Sequence, residues 1–216
     1  MKKIVYLFSL RLGRLLQAIA RSTLLGLGLL VMPSALLATM TIDEGETLTN
    51  PTATILTNDS WLKNNGTLTN DGTLTNNDYL TNRAPCLGNM NGNQCQSFGS
   101  PQPLPTTRGI LNNTGTLNNY DTLENGSFTW LDNYATLNNT GTLNNQVGGT
   151  LTNYDTLEND DFLYNDGTLT NYGAYSGTKA TLNNSGTLTN DGTLENDGTL
   201  TNDGTLTNDG TLNNAG

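Results

Sequence analysis

Histidine is absent from all 216 residues, and cysteine (two), tryptophan (two) and proline (six) are scarce. Without histidine the chain can form no Ser-His-Asp triad, no Cys-His pair and no imidazole-ligated metal centre. Basic side chains are also few: five of the nine, Lys2, Lys3, Arg11, Arg14 and Arg21, crowd the first 21 positions. Hydrophobic residues make up 34% of the chain, and the only long apolar run, residues 24–32, follows that basic stretch.

A basic leader, an apolar run, Pro33 and a small-residue exit at Ala38 read as a secretory signal peptide over residues 1–38. The apolar run is too short for a comfortable membrane span, although an uncleaved anchor is the alternative. The mature chain then starts near Thr39. It keeps only Lys63, Arg83, Arg108 and Lys179 against all nineteen acidic residues, a net charge of 4 − 19 = −15. That balance excludes nucleic acid and anionic membrane surfaces as partners, both of which require basic patches.

Low hydrophobicity with abundant Asn, Gly and Thr also suits a disordered chain. What is present argues against that. Twenty-two Leu-x-Asn units run through residues 48–82 and 111–214, most within the hexad Gly-Thr-Leu-x-Asn-x. At the C-terminal end Leu188, Leu194, Leu200, Leu206 and Leu212 fall six apart, each followed two positions later by Asn. A closed globular core needs many side-chain shapes, whereas stacked near-identical coils need one.

In an extended chain the two-residue period puts Gly, Leu and Asn of the hexad on one side and Thr, Thr and Asp on the other. β-branched Thr suits a pleated strand, and Asn-Asp-Gly suits a turn. Each hexad is therefore one short strand plus one corner. Leu111, Leu117 and Leu123 are followed after eight residues by Leu131, and the same step recurs from Leu143 to Leu151. Three hexads with a two-residue insertion give a period of 20, and Leu169, Tyr175 and Leu182 read as a later, degenerate set. The predicted fold is all-β, a parallel β-helix (β-solenoid) with three strands per coil of 18–20 residues and insertions bulging at one corner. A flattened coil of two hexads is the rival arrangement.

Stacking places Leu on Leu in one core and Asn on Asn in a ladder, where each amide donates to one neighbour and accepts from the other. Asn190, Asn196, Asn202 and Asn208 are the expected rungs near the end. Residues 39–47, with Asp43, Glu44 and Glu46, are expected to cap the first coil; solenoid coils fill 48–82 and 111–216, with no cap visible in the final repeats. Between them, residues 83–110 read as a surface excursion, Pro-rich at 101–105, in which Cys86 and Cys95 are expected to form a local disulfide.

The acidic residues follow the repeat and do not cluster, so glycan cleavage by paired carboxylates is not expected, and neither is His-dependent acyl transfer. The chain reads as non-catalytic, with no cofactor. Asp191, Asp197, Asp203 and Asp209 place carboxylates at repeating corners, but the hexad does not match calcium-binding nonapeptide coils. A calcium-stabilised rod is therefore an alternative only. A further alternative starts from placing Leu151, Leu169, Leu188 and Leu206 on one side. Thr150, Thr168, Thr187 and Thr205 would then form one rank, and Thr152, Thr170, Thr189 and Thr207 a second beside it. That arrangement resembles the flat Thr-x-Thr face of ice-binding solenoids.

With a long leader and Gly-Thr-Leu-x-Asn repeats, the stretch from Leu48 to Asn214 resembles the shaft and passenger repeats of filamentous-haemagglutinin-type adhesins and autotransporters. The resemblance is one of repeat style. It implies a secreted or cell-surface location in a Gram-negative bacterium and a structural or adhesive shaft. The implied partners are cell-surface or matrix components, or other copies joined end to end. No catalytic or ligand-binding residue comes with it.

Overall fold

A computed structural model of the protein describes residues 39–83, 89–91, 94–96, 109–173 and 177–216. The signal-peptide reading of residues 1–38 lies outside the described residues, as do Cys86 and Tyr175. Of Cys95 only the backbone is described, in strand Gln94–Gln96, which pairs antiparallel with Asn89–Asn91. The expected Cys86–Cys95 disulfide therefore also falls outside the described residues.

Each of the 22 Leu-x-Asn units is the core of one four-residue strand, with Leu second and Asn last. The four-residue length follows from the hexad. Two residues turn each corner, and Leu and Asn are the inward positions of the extended four between them. The strands form three parallel sheets of eight, eight and seven members. The first face starts with Met40–Ile42 and Trp61–Asn64, the second with Thr47–Asn50 and Thr67–Asn70, and the third with Ile55–Asn58 and Thr73–Asn76. The chain visits first, second and third face in turn, so the expected three-sided parallel β-helix is the observed fold. Successive strands on a face stand about 4.8 Å apart, and eight of them span about 34 Å.

Every pair of Leu-x-Asn strands is in register, Leu on Leu: Leu68 pairs with Leu111, Leu111 with Leu131 and Leu131 with Leu151. The core is one column of leucine, and from Leu62 to Leu194 each of these inward side chains is at most 1% exposed. Leu200, Leu206 and Leu212 in the last coil are only partly buried.

Insertions occur at two of the three corners, not one. Between first and second face the chain adds residues at 126–129, at 146–149 and, at greatest length, at 83–109. Between second and third face it adds them at 51–54 and 172–180. The turn from third to first face always takes two residues, for example Asp59-Ser60 and Tyr120-Asp121. The long insertion leaves the register untouched, because Leu80 still pairs with Leu123 across it.

Glycine is required at some of these corners by close approach. At Thr114-Gly115 both backbone N–H groups donate to the Asn70 carbonyl, at 2.8 and 3.0 Å. A Cβ on Gly115 would collide with the Gly72 carbonyl oxygen of the coil below. Where Asp or Ala takes that place, as in Tyr134-Ala135, only the first N–H makes the bond.

Candidate functional site

The buried polar groups of this protein are the asparagines that close each strand. On the second face the Nδ2 of Asn50 donates to Asn70 Oδ1 at 2.6 Å, Asn70 to Asn113 at 2.7 Å and Asn113 to Asn133 at 2.7 Å. The line continues through Asn153, Asn171, Asn196 and Asn214. Parallel lines run from Asn58 to Asn202 on the third face and from Asn64 to Asn208 on the first. The second N–H of each interior amide donates to the carbonyl of the residue that starts the following strand one coil on, as in Asn70 to Thr116 O at 2.9 Å. Each amide thus bridges a corner and a coil together. No buried side-chain polar atom among the described residues lacks a partner.

The four expected rungs divide among these three ladders. Asn190 bonds to Asn208 on the first face, Asn196 to Asn214 on the second, and Asn202 accepts from Asn184 on the third. The ladder chemistry is as the sequence predicts. Bonded partners lie eighteen residues apart in each of these bonds, one three-strand coil.

The expected threonine ranks do not hold together, and the structure corrects both. Thr150 pairs with Thr168, and Thr152 with Thr170, on the second face. The next strand on that face is Thr193–Asn196, so Thr170 is followed by Glu195 and not by Thr189. Thr187 pairs with Thr205, and Thr189 with Thr207, on the first face. There Thr189 follows Tyr164, so Thr189 and Thr207 form a separate short rank that never meets Thr170. The shift arises because the chain passes from Thr168–Asn171 on the second face to Thr181–Asn184 on the third, so every later hexad stands one face from where the sequence puts it. The register instead builds an unbroken rank on the third face: Thr73, Thr116, Thr136, Thr156, Thr181 and Thr199. Its companion rank is mixed, with Asn118, Asn138, Glu158 and Asn183.

The corner aspartates likewise spread out. Asp191 and Asp209 follow paired strands and share one corner, whereas Asp197 and Asp203 turn the other two. Among the described residues no three His, Cys, Asp or Glu side chains are placed to hold a metal ion.

Outward positions carry two clusters that the repeat hides. At the corner between second and third face, Tyr134 and Tyr154 stack with ring centroids 4.6 Å apart and planes within 1°, and Tyr172 follows at 4.9 Å. At the root of the long insertion, Arg83 pairs with Glu124 at 3.1 Å, and the Glu124 side chain is only 5% exposed. The Arg83 Nε donates to Thr81 Oγ1 at 3.0 Å, and the Tyr79 hydroxyl donates to Glu124 Oε2. The signal for this cluster is faint: Arg83 is one of four basic residues after position 38, and Tyr79 and Glu124 stand where the repeat usually places Thr or Asn.

Burial, then the hydrogen bond to Glu124 and its charge, pushes the Tyr79 phenol up to about 12. The fold favours its neutral form. Its contribution to stability is therefore complete below pH 10, the ordinary phenol value, and is lost as pH rises towards 12. Ultraviolet titration is expected to show a late phenol step from Tyr79, and that step is expected to vanish in Tyr79→Phe. On the second face, burial pushes the Asp132 carboxyl up, partly offset by the Thr152 hydroxyl bonded to it.

Compared with known proteins, the chain matches no family model, no curated protein and no solved structure. The β-solenoid assignment rests on the strand pairing alone.

Proposed function

We propose that the chain is an exported, non-catalytic solenoid that acts as a stiff spacer or adhesive shaft at a bacterial cell surface. The observation that carries this reading is the unbroken three-ladder rod. Its inward positions are spent on Leu and Asn, and its outward positions are mostly Thr and Asn. Such a rod presents length and surface. The leader of residues 1–38 and the net charge of −15 that follows it suit an exported, soluble shaft.

The test is expression of the 216-residue chain in a Gram-negative host, followed by fractionation and N-terminal sequencing. The expected product is processed near Thr39 and is digested by protease added to intact cells. Cytoplasmic retention of a chain still carrying residues 1–38 would remove the reading.

Ice binding is less well supported. The continuous third-face Thr rank favours it, but the companion rank carries the charge of Glu158 and lacks the second hydroxyl row. Growth of the rod by end-to-end contact is also part of the proposal. The last coil leaves Leu200, Leu206 and Leu212 partly uncovered, so it can accept a further coil, from more polypeptide or from a second copy. A second copy would set Met40–Ile42 on Thr205–Asn208 and Thr47–Asn50 on Thr211–Asn214. The third face, with seven strands against eight, would be one strand short at that junction.

A further inference from the structure

Two aromatic rings interrupt the outward Thr pattern on adjacent coils of the first face, where Trp61 pairs with Tyr79. The rings stack with centroids 5.1 Å apart and planes at 28°. Tyr79 is held by Glu124, Glu124 by Arg83, and Arg83 by Thr81. Trp61 thus lies against a braced neighbour, yet it is 54% exposed. A large apolar ring held rigid and left in water carries a ready contact surface, because little conformational freedom is lost when a ligand covers it.

Lys63 stands two residues along the same strand and therefore on the same outward side. Among the described residues it forms no ion pair, since Arg83–Glu124 is the one salt bridge. A cation beside an exposed indole is uncommon on a chain whose acidic residues outnumber basic ones 19 to 9.

We propose that Trp61 and Lys63 form a binding platform for a carboxylated saccharide, one pyranose ring lying on the indole and its carboxylate reaching the lysine. A pyranose presents a face of weakly positive C–H groups, which the negative face of an aromatic ring attracts. The ammonium supplies a single positive charge for the carboxylate. A flat strand face offers no concave pocket of the kind that buries an apolar peptide anchor. One carboxylate per two sugar rings is sparse charge that a single lysine can offset, whereas the dense phosphates of nucleic acid need a basic patch that this acidic rod lacks. One ring and one cation give weak binding, with a dissociation constant of about 0.1–1 mM.

The proposal draws on the cell-surface reading only for where such saccharides are met. Failure of export would leave the platform intact, and failure to bind would leave export intact. The experiment uses the full chain carrying Trp130→Phe, so that Trp61 is the sole tryptophan fluorophore. Hyaluronan hexasaccharide is titrated as the acidic probe and cellohexaose as the neutral one, with calorimetry in parallel. Saturable binding is expected, tighter for hyaluronan. Trp61→Ala, followed by calorimetry, is expected to weaken it about tenfold or more. Lys63→Gln is expected to bring hyaluronan down to the cellohexaose level. Both side chains are on the surface, and an unchanged β-sheet circular dichroism spectrum checks that the variants fold. No saturable binding, or hyaluronan binding indifferent to either substitution, overturns the proposal.

Discussion

Replacing Asn139 by aspartate is expected to destabilise the rod by about 3–5 kcal/mol at pH 7, because it leaves an uncompensated buried charge. Asn139 is fully buried in the middle of the third-face ladder. Its amide accepts from Asn119 at 2.7 Å and donates to Asn159 Oδ1 at 2.7 Å, Phe162 O at 2.8 Å and Gly141 O at 3.0 Å. A carboxylate keeps the one accepting role and loses all three donating ones, turning a negative oxygen towards three other oxygens. Burial and those facing acceptors both disfavour ionisation, so the folded-state pKa of the new group is raised. The penalty is therefore full above that raised value, shrinks as pH falls from it towards the ordinary carboxyl value of about 4, and is smallest below that. Urea unfolding of parent and variant at pH 7 and pH 4 reads both effects. Equal midpoints at pH 7 would show that the ladder contributes nothing to stability.

Truncating the leucine column should have an effect that depends on position. Leu137 is 0% exposed, between Leu117 and Leu157. Leu137→Ala opens a cavity that flanking strands locked by backbone and amide bonds cannot close, and is expected to cost about 2–5 kcal/mol. Leu206 sits in the last coil and is only partly buried, so Leu206→Ala removes less contact and is expected to cost under about 1 kcal/mol. In a stack where each coil touches only its neighbours, the central variant is also expected to unfold less cooperatively, as a rod broken in two. The comparison is made by thermal or urea unfolding followed by circular dichroism. Similar losses at the two sites would contradict a continuous dry column.

Most of the fold was legible because each of its rules repeats 22 times. Leu and Asn at a fixed offset of two require an extended strand with both facing inward. The eight-residue steps at Leu123–Leu131 and Leu143–Leu151 disclosed a three-sided coil. What the sequence hid were the places where chain length and face decouple. Tyr175 lies six positions after Leu169 and so imitates a strand. The chain instead passes from Asn171 on the second face to Thr181 on the third, and nothing in local periodicity separates a long connection from a weak repeat. That single slip divided the expected threonine ranks between two faces, leaving Thr170 on one and Thr189 with Thr207 on the other. The Arg83–Glu124–Tyr79 cluster was hidden for a different reason. Arg83 and Tyr79 lie 41 and 45 residues from Glu124 in the chain, and they meet it only because the long insertion leaves the coil register unbroken.

The three asparagine ladders have a direction. In all of them the earlier residue in the chain gives the proton and the later one receives it, from Asn50 to Asn214, Asn58 to Asn202 and Asn64 to Asn208. Aligned amide dipoles add, so the rod is an electrical as well as a mechanical axis, positive in the direction that runs from Asn50 to Asn214.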